Sequence, residues 1–272
     1  MINNNGGHLQ GIQRVRHQGS DYYIVSGSSD QHSYYSIIKS GENNLVISNN
    51  MILEKPFKHA GGFQICDPLM AVGVEDNEAK DKSKVFIFQL DSPERPPEKP
   101  LAIIDRLGTE KRASAGCIGI AQIRDKVLIV VGDWDTIHLD FYVIDRAKLG
   151  LDPNALELEY TINTGKTDKK NWIDTSWLAY QNINIITPTP DLLLLAGMAT
   201  NKNDEDILDL YQISTQDLET FRLTKVYTKN FGSNAQTRFR WGAGIHMTED
   251  GSFQVLSTQE NISEQSIINL FQ

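Results

Sequence analysis

His59-Ala60-Gly61-Gly62-Phe63-Gln64, followed by Leu69-Met70-Ala71-Val72-Gly73, is a phrase that recurs along the whole chain. A glycine corner leads into a short strand with a polar residue near its start. A turn, a second and wholly apolar strand and a terminal glycine complete it. The second-strand part repeats as Tyr22 to Gly27, Val127 to Gly132, Leu192 to Gly197 and Phe253 to Ser257, with serine in the last glycine's place. The anchor residues 27, 73, 132, 197 and 257 lie 46, 59, 65 and 60 residues apart. Four-stranded propeller blades run about 40–50 residues, so the spacing fits blade-sized units with loop insertions.

The first strand precedes each anchor, as Gly11-Ile12-Gln13, Gly62-Phe63-Gln64, Cys117-Ile118-Gly119, Asn182-Ile183-Asn184 and Gly244-Ile245-His246. A third strand follows each anchor with period-two alternation, for example Phe86 to Leu90 and Asp140 to Ile144. A weaker fourth strand appears in four of the repeats, and helical periodicity is nearly absent. The expectation is an all-β, five-bladed β-propeller in a single domain, with blades at about 8–57, 58–108, 113–163, 176–230 and 238–272. Radial repetition protects the strand edges that an all-β chain would otherwise expose.

The last repeat stops after its third strand. Either Ile2 to Asn5 add a short strand to the last blade, or native residues upstream of Met1 do so; the second is the expectation. A complete chain would be cytoplasmic, because Met1 to Asn5 carry no signal pattern, and a trimmed one extracytoplasmic. No apolar run reaches the roughly 20 residues of a membrane span.

Hydrophobic residues at 40% and charged residues at 22% are the proportions of a soluble globular protein, so 272 residues suffice for a sizeable core. A net charge of -9 disfavours nucleic acid and anionic membranes as partners. The two cysteines, Cys66 and Cys117, fall in first strands and read as buried thiols, with a disulfide as the alternative. The charged or proline-rich stretches Glu75 to Lys84, Asp91 to Pro100, Thr164 to Asn171 and Asn201 to Asp206 read as solvated loops.

In a propeller the first strands line the central axis. The residue two after each glycine position would face it, namely Gln13, Gln64, Gly119, Asn184 and His246. Three before that position lie His8, His59, Ser114, Ala179 and Trp241, with Arg240, Trp177, Tyr180 and Gln181 around them. These groups suit an uncharged glycan or a peptide-like ligand, or else bond only to water and backbone. His8, His59 and His246 would form a zinc or copper site if they converged. Asp133 and Asp135, in Gly132-Asp133-Trp134-Asp135-Thr136, are a candidate calcium pair, or an Asx-type turn.

Hydrolysis of a glycosidic bond uses two carboxyl groups, and the inner positions hold none. No nucleophile elbow, phosphate loop or His-Glu-x-x-His helix is present. The phrases His59 to Gln64, Gly132 to Asp135, Leu139 to Tyr142 and Tyr180 to Asn184 resemble those of uncharacterised bacterial propeller proteins. That resemblance implies the fold and assigns no residue a role. The functional expectation is a monomeric binding module for a small polar ligand, glycan or protein. Its site is Gln13, Gln64, Asn184 and His246 with the rim His8, His59, Arg240 and Trp241. A glycan-directed or metal-dependent hydrolase is the first alternative and a rigid scaffold the second.

Overall fold

The computed structural model describes residues 5–153, 155–248, 250–264 and 266–271. They form five successive antiparallel meanders. The first is β1 (Leu9–His17), β2 (Ser20–Ser28), β3 (His32–Lys39) and β4 (Leu45–Glu54). The second is β5 (His59–Cys66), β6 (Leu69–Glu75), β7 (Lys82–Gln89) and β8 (Ala102–Leu107), and the third is β9 (Cys117–Ile123), β10 (Lys126–Gly132), β11 (His138–Asp145) and β12 (Glu157–Asn163). The fourth comprises β13 (Asn182–Thr189), β14 (Leu192–Thr200), β15 (Asp206–Gln216) and β16 (Thr220–Asn230), and the fifth β17 (Arg238–Met247), β18 (Phe253–Thr258) and β19 (Ile268–Phe271).

Neighbouring meanders meet through their first strands. Gly62 pairs in parallel with Cys117, and Gly11 with Ala243, which brings the first meander beside the last. Apolar packing follows the same circle. Separate clusters bridge meanders one and two, two and three, three and four, and four and five. A further cluster, with Leu9, Ile12 and Val25 against Leu256, joins the first to the fifth. Each sheet is therefore buried on both faces, which explains the unbroken apolar runs in the second strands. All seven residues of β6 are buried.

The two glycines of the opening phrase sit in a bulge, where the β5–β6 ladder skips from Ala60 to Phe63. A Cβ on Gly62 would lie 2.2 Å from the Gln181 carbonyl oxygen, so the inner strands can approach only with glycine there.

One expectation changes in the folded chain, and a second, the reading of the cysteines as buried thiols, holds except for the partial exposure of Cys66. Glu75 and Asp206, assigned to solvated loops, are strand residues and are buried. Cys66 and Cys117 are free thiols, with Cys117 fully buried and Cys66 half-buried. The proposed closing strand cannot be followed, because Met1 to Asn4 lie outside the described residues; Asn5 accepts a hydrogen bond from the Asp30 backbone N–H in the first meander.

Candidate functional site

The inner strands bring Gln13, Gln64 and Asn184 together at the axis, as their spacing predicts. All three are buried, and their amides are engaged within the protein. Gln64 Oε1 accepts from Ile120 N (2.8 Å) and Ile185 N (2.7 Å), while its Nε2 donates to Ile185 O (2.7 Å). Gln13 Nε2 donates to Ile12 O and to Asn184 Oδ1 (3.1 Å), and Asn184 Oδ1 also accepts from Ile245 N (2.8 Å). Asn182, at a position aligned with glycine in the repeat, donates to Gln10 O (2.9 Å). The amides are thus a plug that satisfies backbone groups where strands from different meanders converge without pairing.

His246 stands apart from this plug. Gly244 is the fifth-meander residue beside Gln13, since a Cβ on it would lie 2.7 Å from Gln13 Nε2. The β17–β18 register breaks between Arg238 and Ala243, and this break shifts the repeat. His246 lies instead near Arg14 and Asp21, and burial, reinforced by the Arg14 charge, lowers its pKa. It does not meet His8 and His59, so the three-histidine metal site does not assemble. Asp133 is also committed: its Oδ1 accepts from His138 N and its Oδ2 contacts His138 Nδ1, both at 2.7 Å. Asp135 is exposed, with φ at 61°. No group of three or more His, Cys, Asp or Glu among the described residues could hold a metal ion.

The rim does assemble where the first strands begin. The His8 and His59 rings lie 6.4 Å apart, edge to face. Gln10 Nε2 is 2.9 Å from His59 Nε2 and 3.0 Å from His8 Nδ1. An amide N–H can only donate, so His59 Nε2 is the acceptor and Nδ1 carries the proton of the neutral ring. Nδ1 faces Glu75 Oε1 at 3.1 Å, an ion-pair contact too bent for a hydrogen bond. The other Glu75 oxygen accepts from Ala115 N at 2.9 Å. Glu75 is 1% exposed and acts outward only through His59.

Burial lowers the His8 pKa. A hydrogen bond to the Leu9 carbonyl and the Glu260 charge oppose that shift, and the charges of His59 and Arg240 reinforce it. Those charges place Glu260 and Arg240 beside the histidine pair. The Arg240 guanidinium lies 5.4 Å from the centre of the Trp241 ring. Trp177 and Tyr180 belong to the core: Trp177 Nε1 donates to Thr136 O, and the Tyr180 hydroxyl is buried against Asp209 and Tyr211.

Gln10, Glu75 and Glu260 are the mouth residues that the repeat pattern missed. Gln10 precedes the aligned glycine, while Glu75 and Glu260 lie at and just beyond the ends of second strands. Those ends return to the face where the first strands begin. A charged pair, Glu75-Asp76, directly after a wholly apolar strand was the available signal.

No protein-family model and no curated protein matches the sequence. Solved structures do match in fold. The catalytic domain of a GH62 α-L-arabinofuranosidase from Coprinopsis cinerea aligns with TM-score 0.52 at 11% identity, covering 96% of this chain and 89% of its own. A GH43_1 enzyme from Xanthomonas citri gives 0.52 at 9% identity, covering 98% and 88%. A GH43 β-xylosidase/α-arabinofuranosidase from a compost microbial metagenome, in complex with xylotriose, gives 0.52 at 8%, covering 98% and 91%. The chain spans 32% of a bifunctional GH43-CE protein of Bacteroides eggerthii. The expectation of a binding module is corrected by these likenesses, because the matching structures are glycoside hydrolases, the class held as the alternative. At identities this low the likeness establishes architecture and not chemistry: the chain is a β-propeller built like those hydrolases.

Proposed function

We propose that the protein is a glycan-directed hydrolase, a single domain of five blades corresponding to the five meanders, with its reaction centre at the mouth where the first strands begin. The observation that carries this proposal is the His59–Glu75 pair, a partly accessible imidazole backed by a buried carboxylate on a face rimmed by Arg240 and Trp241. Fold neighbours in complex with xylotriose and cellotriose support an oligosaccharide as ligand.

Cleavage of a glycosidic bond needs a proton for the departing oxygen and a base or nucleophile at the anomeric carbon. The inner strands supply no carboxylate, so the second strands must. When the substrate displaces Gln10 from His59 Nε2, that nitrogen takes up a proton, Glu75 facing Nδ1 stabilises the resulting ring charge, and Nε2 delivers the proton to the departing oxygen. Glu260, exposed beside His8, takes a proton from the attacking water. The Trp241 ring offers a face for a sugar, and Arg240 donates to its hydroxyls.

The test is a panel of aryl arabinofuranosides, xylosides and galactosides plus xylo-oligosaccharides, assayed with the parent protein and with Glu75→Gln, His59→Ala and Glu260→Gln. Loss of the general acid or base should cut kcat by about 10²–10⁴-fold, with circular dichroism unchanged. Absence of turnover across the panel would remove the proposal. So would full turnover in both glutamine variants.

A further inference from the structure

A large cleft lies away from the mouth, on the flank between β12 of the third meander and β16 of the fourth. Its volume is about 710 Å³. Trp172 and Phe221 are buried in its floor, and the Trp172 indole is fixed by donating to Leu223 O at 2.9 Å. Tyr160 forms a half-buried wall, its ring 6.1 Å from that of Phe221. The 164–171 loop supplies one rim and is tied down by its own hydrogen bonds. Thr164 Oγ1 donates to Ile137 O, Thr167 Oγ1 to Asn163 O and Lys166 N to Asn163 O.

The charges of this rim are unspent. Lys166 and Arg222 line the cleft, are exposed, and have no ion-pair or side-chain hydrogen-bond partner among the described residues. Asp168, the acid lining the cleft, is turned into its own loop and accepts from Lys170 N at 3.0 Å. Lys169 is also committed, lying over Trp172 and donating to Thr175 O. The cleft therefore has two free cations over an apolar floor, in a protein whose net charge is -9. A carboxylate is the group that would complement them, held by charge-assisted hydrogen bonds.

We infer that this cleft is a second ligand site, for an oligosaccharide bearing carboxylate groups, with Lys166 and Arg222 as its anion contacts and Tyr160 beside the sugar ring. That the ligand is a saccharide rests on the hydrolase proposal; that it is acidic rests on the cleft alone.

The probes are trigalacturonate and neutral xylotriose, titrated into the full chain by calorimetry and by tryptophan fluorescence. Trigalacturonate should bind more tightly than xylotriose. Its affinity should fall at least about tenfold in the Lys166→Ala/Arg222→Ala double variant, and several-fold when salt rises from about 0.05 to 0.5 M. Both substitutions are on the surface, and circular dichroism checks that the fold persists. Equal affinity for the two probes, or undiminished trigalacturonate binding by the double variant, would overturn the inference. Glu75→Gln separates the two claims, since it should cut turnover by about 10²–10⁴-fold and leave trigalacturonate binding intact. A chain inactive on every glycoside but binding trigalacturonate through Lys166 and Arg222 would remove the hydrolase and keep the cleft.

Discussion

Replacing Gln64 with leucine tests whether the axial amides hold the wheel together. Leucine fills similar space but cannot bond. Three contacts vanish together: the Gln64 Nε2 donation to Ile185 O and the donations of Ile120 N and Ile185 N to Oε1, all between 2.7 and 2.8 Å. These contacts join the second meander to the third and fourth. Their loss strands two backbone N–H groups and one carbonyl where water does not reach. Each stranded group costs about 1–3 kcal/mol, so the three together cost about 3–9 kcal/mol, or about 2–6 kcal/mol after allowance for the better burial of leucine. That is a large part of the roughly 5–15 kcal/mol that holds a domain folded. At about 2–4 °C per kcal/mol for a chain near this size, Tm should drop by about 4–24 °C. Urea titration and calorimetry measure both quantities, with Gln13→Leu as comparison. The Gln13 acceptor contact, from Ile65 N at 3.4 Å, is long, so that variant should lose less. A cost below about 1 kcal/mol for Gln64→Leu, or one smaller than that of Gln13→Leu, would refute the reasoning.

Lys225 is buried with Nζ 3.0 Å from both Asp209 Oδ1 and Asp174 Oδ1, and Asp209 is itself fully enclosed. Lys225→Met should therefore cost about 3–5 kcal/mol in denaturant titration, and adding Asp209→Asn should recover part of it. Gly62→Ala should destabilise by about 2 kcal/mol or more, since its new methyl meets the Gln181 carbonyl at 2.2 Å; a neutral outcome would show that the inner strands can spread. Burial holds His8 and His246 below the ordinary histidine value. The unfolded chain thus binds more protons than the folded one as pH falls through about 6.5, so stability is lost on acidification towards pH 5. Tm measured across that range should fall, and fall less in the His8→Gln/His246→Gln double variant. A double variant with the same slope as the parent would contradict the assignment.

The repeat was legible because each meander solves the same packing problem with the same residue types. Gly61, Gly62 and the apolar run through Val72 mark a strand that meets a neighbour on each face, and that pattern survives in one dimension. The position of His246 was not legible. A break in the β17 ladder shifts the fifth repeat, and only three-dimensional register shows that Gly244 takes the place beside Gln13. Glu75 escaped for a related reason. A charged residue at a strand end looks solvated in sequence, yet the neighbouring meander covers it and donates Ala115 N to its carboxylate.

Local spacing and strand chemistry were enough to determine an all-β wheel of repeated meanders, because hydrophobic alternation and glycine bulges act over a few residues. Whether a polar side chain faces solvent, a neighbour's backbone or a potential substrate was decided only when distant strands met. Gln64 and His59 lie five residues apart on one strand, yet Gln64 seals the axis and His59 opens onto the mouth. The difference lies in their partners, which are the backbones of Ile120 and Ile185 for Gln64 and the side chains of Gln10 and Glu75 for His59.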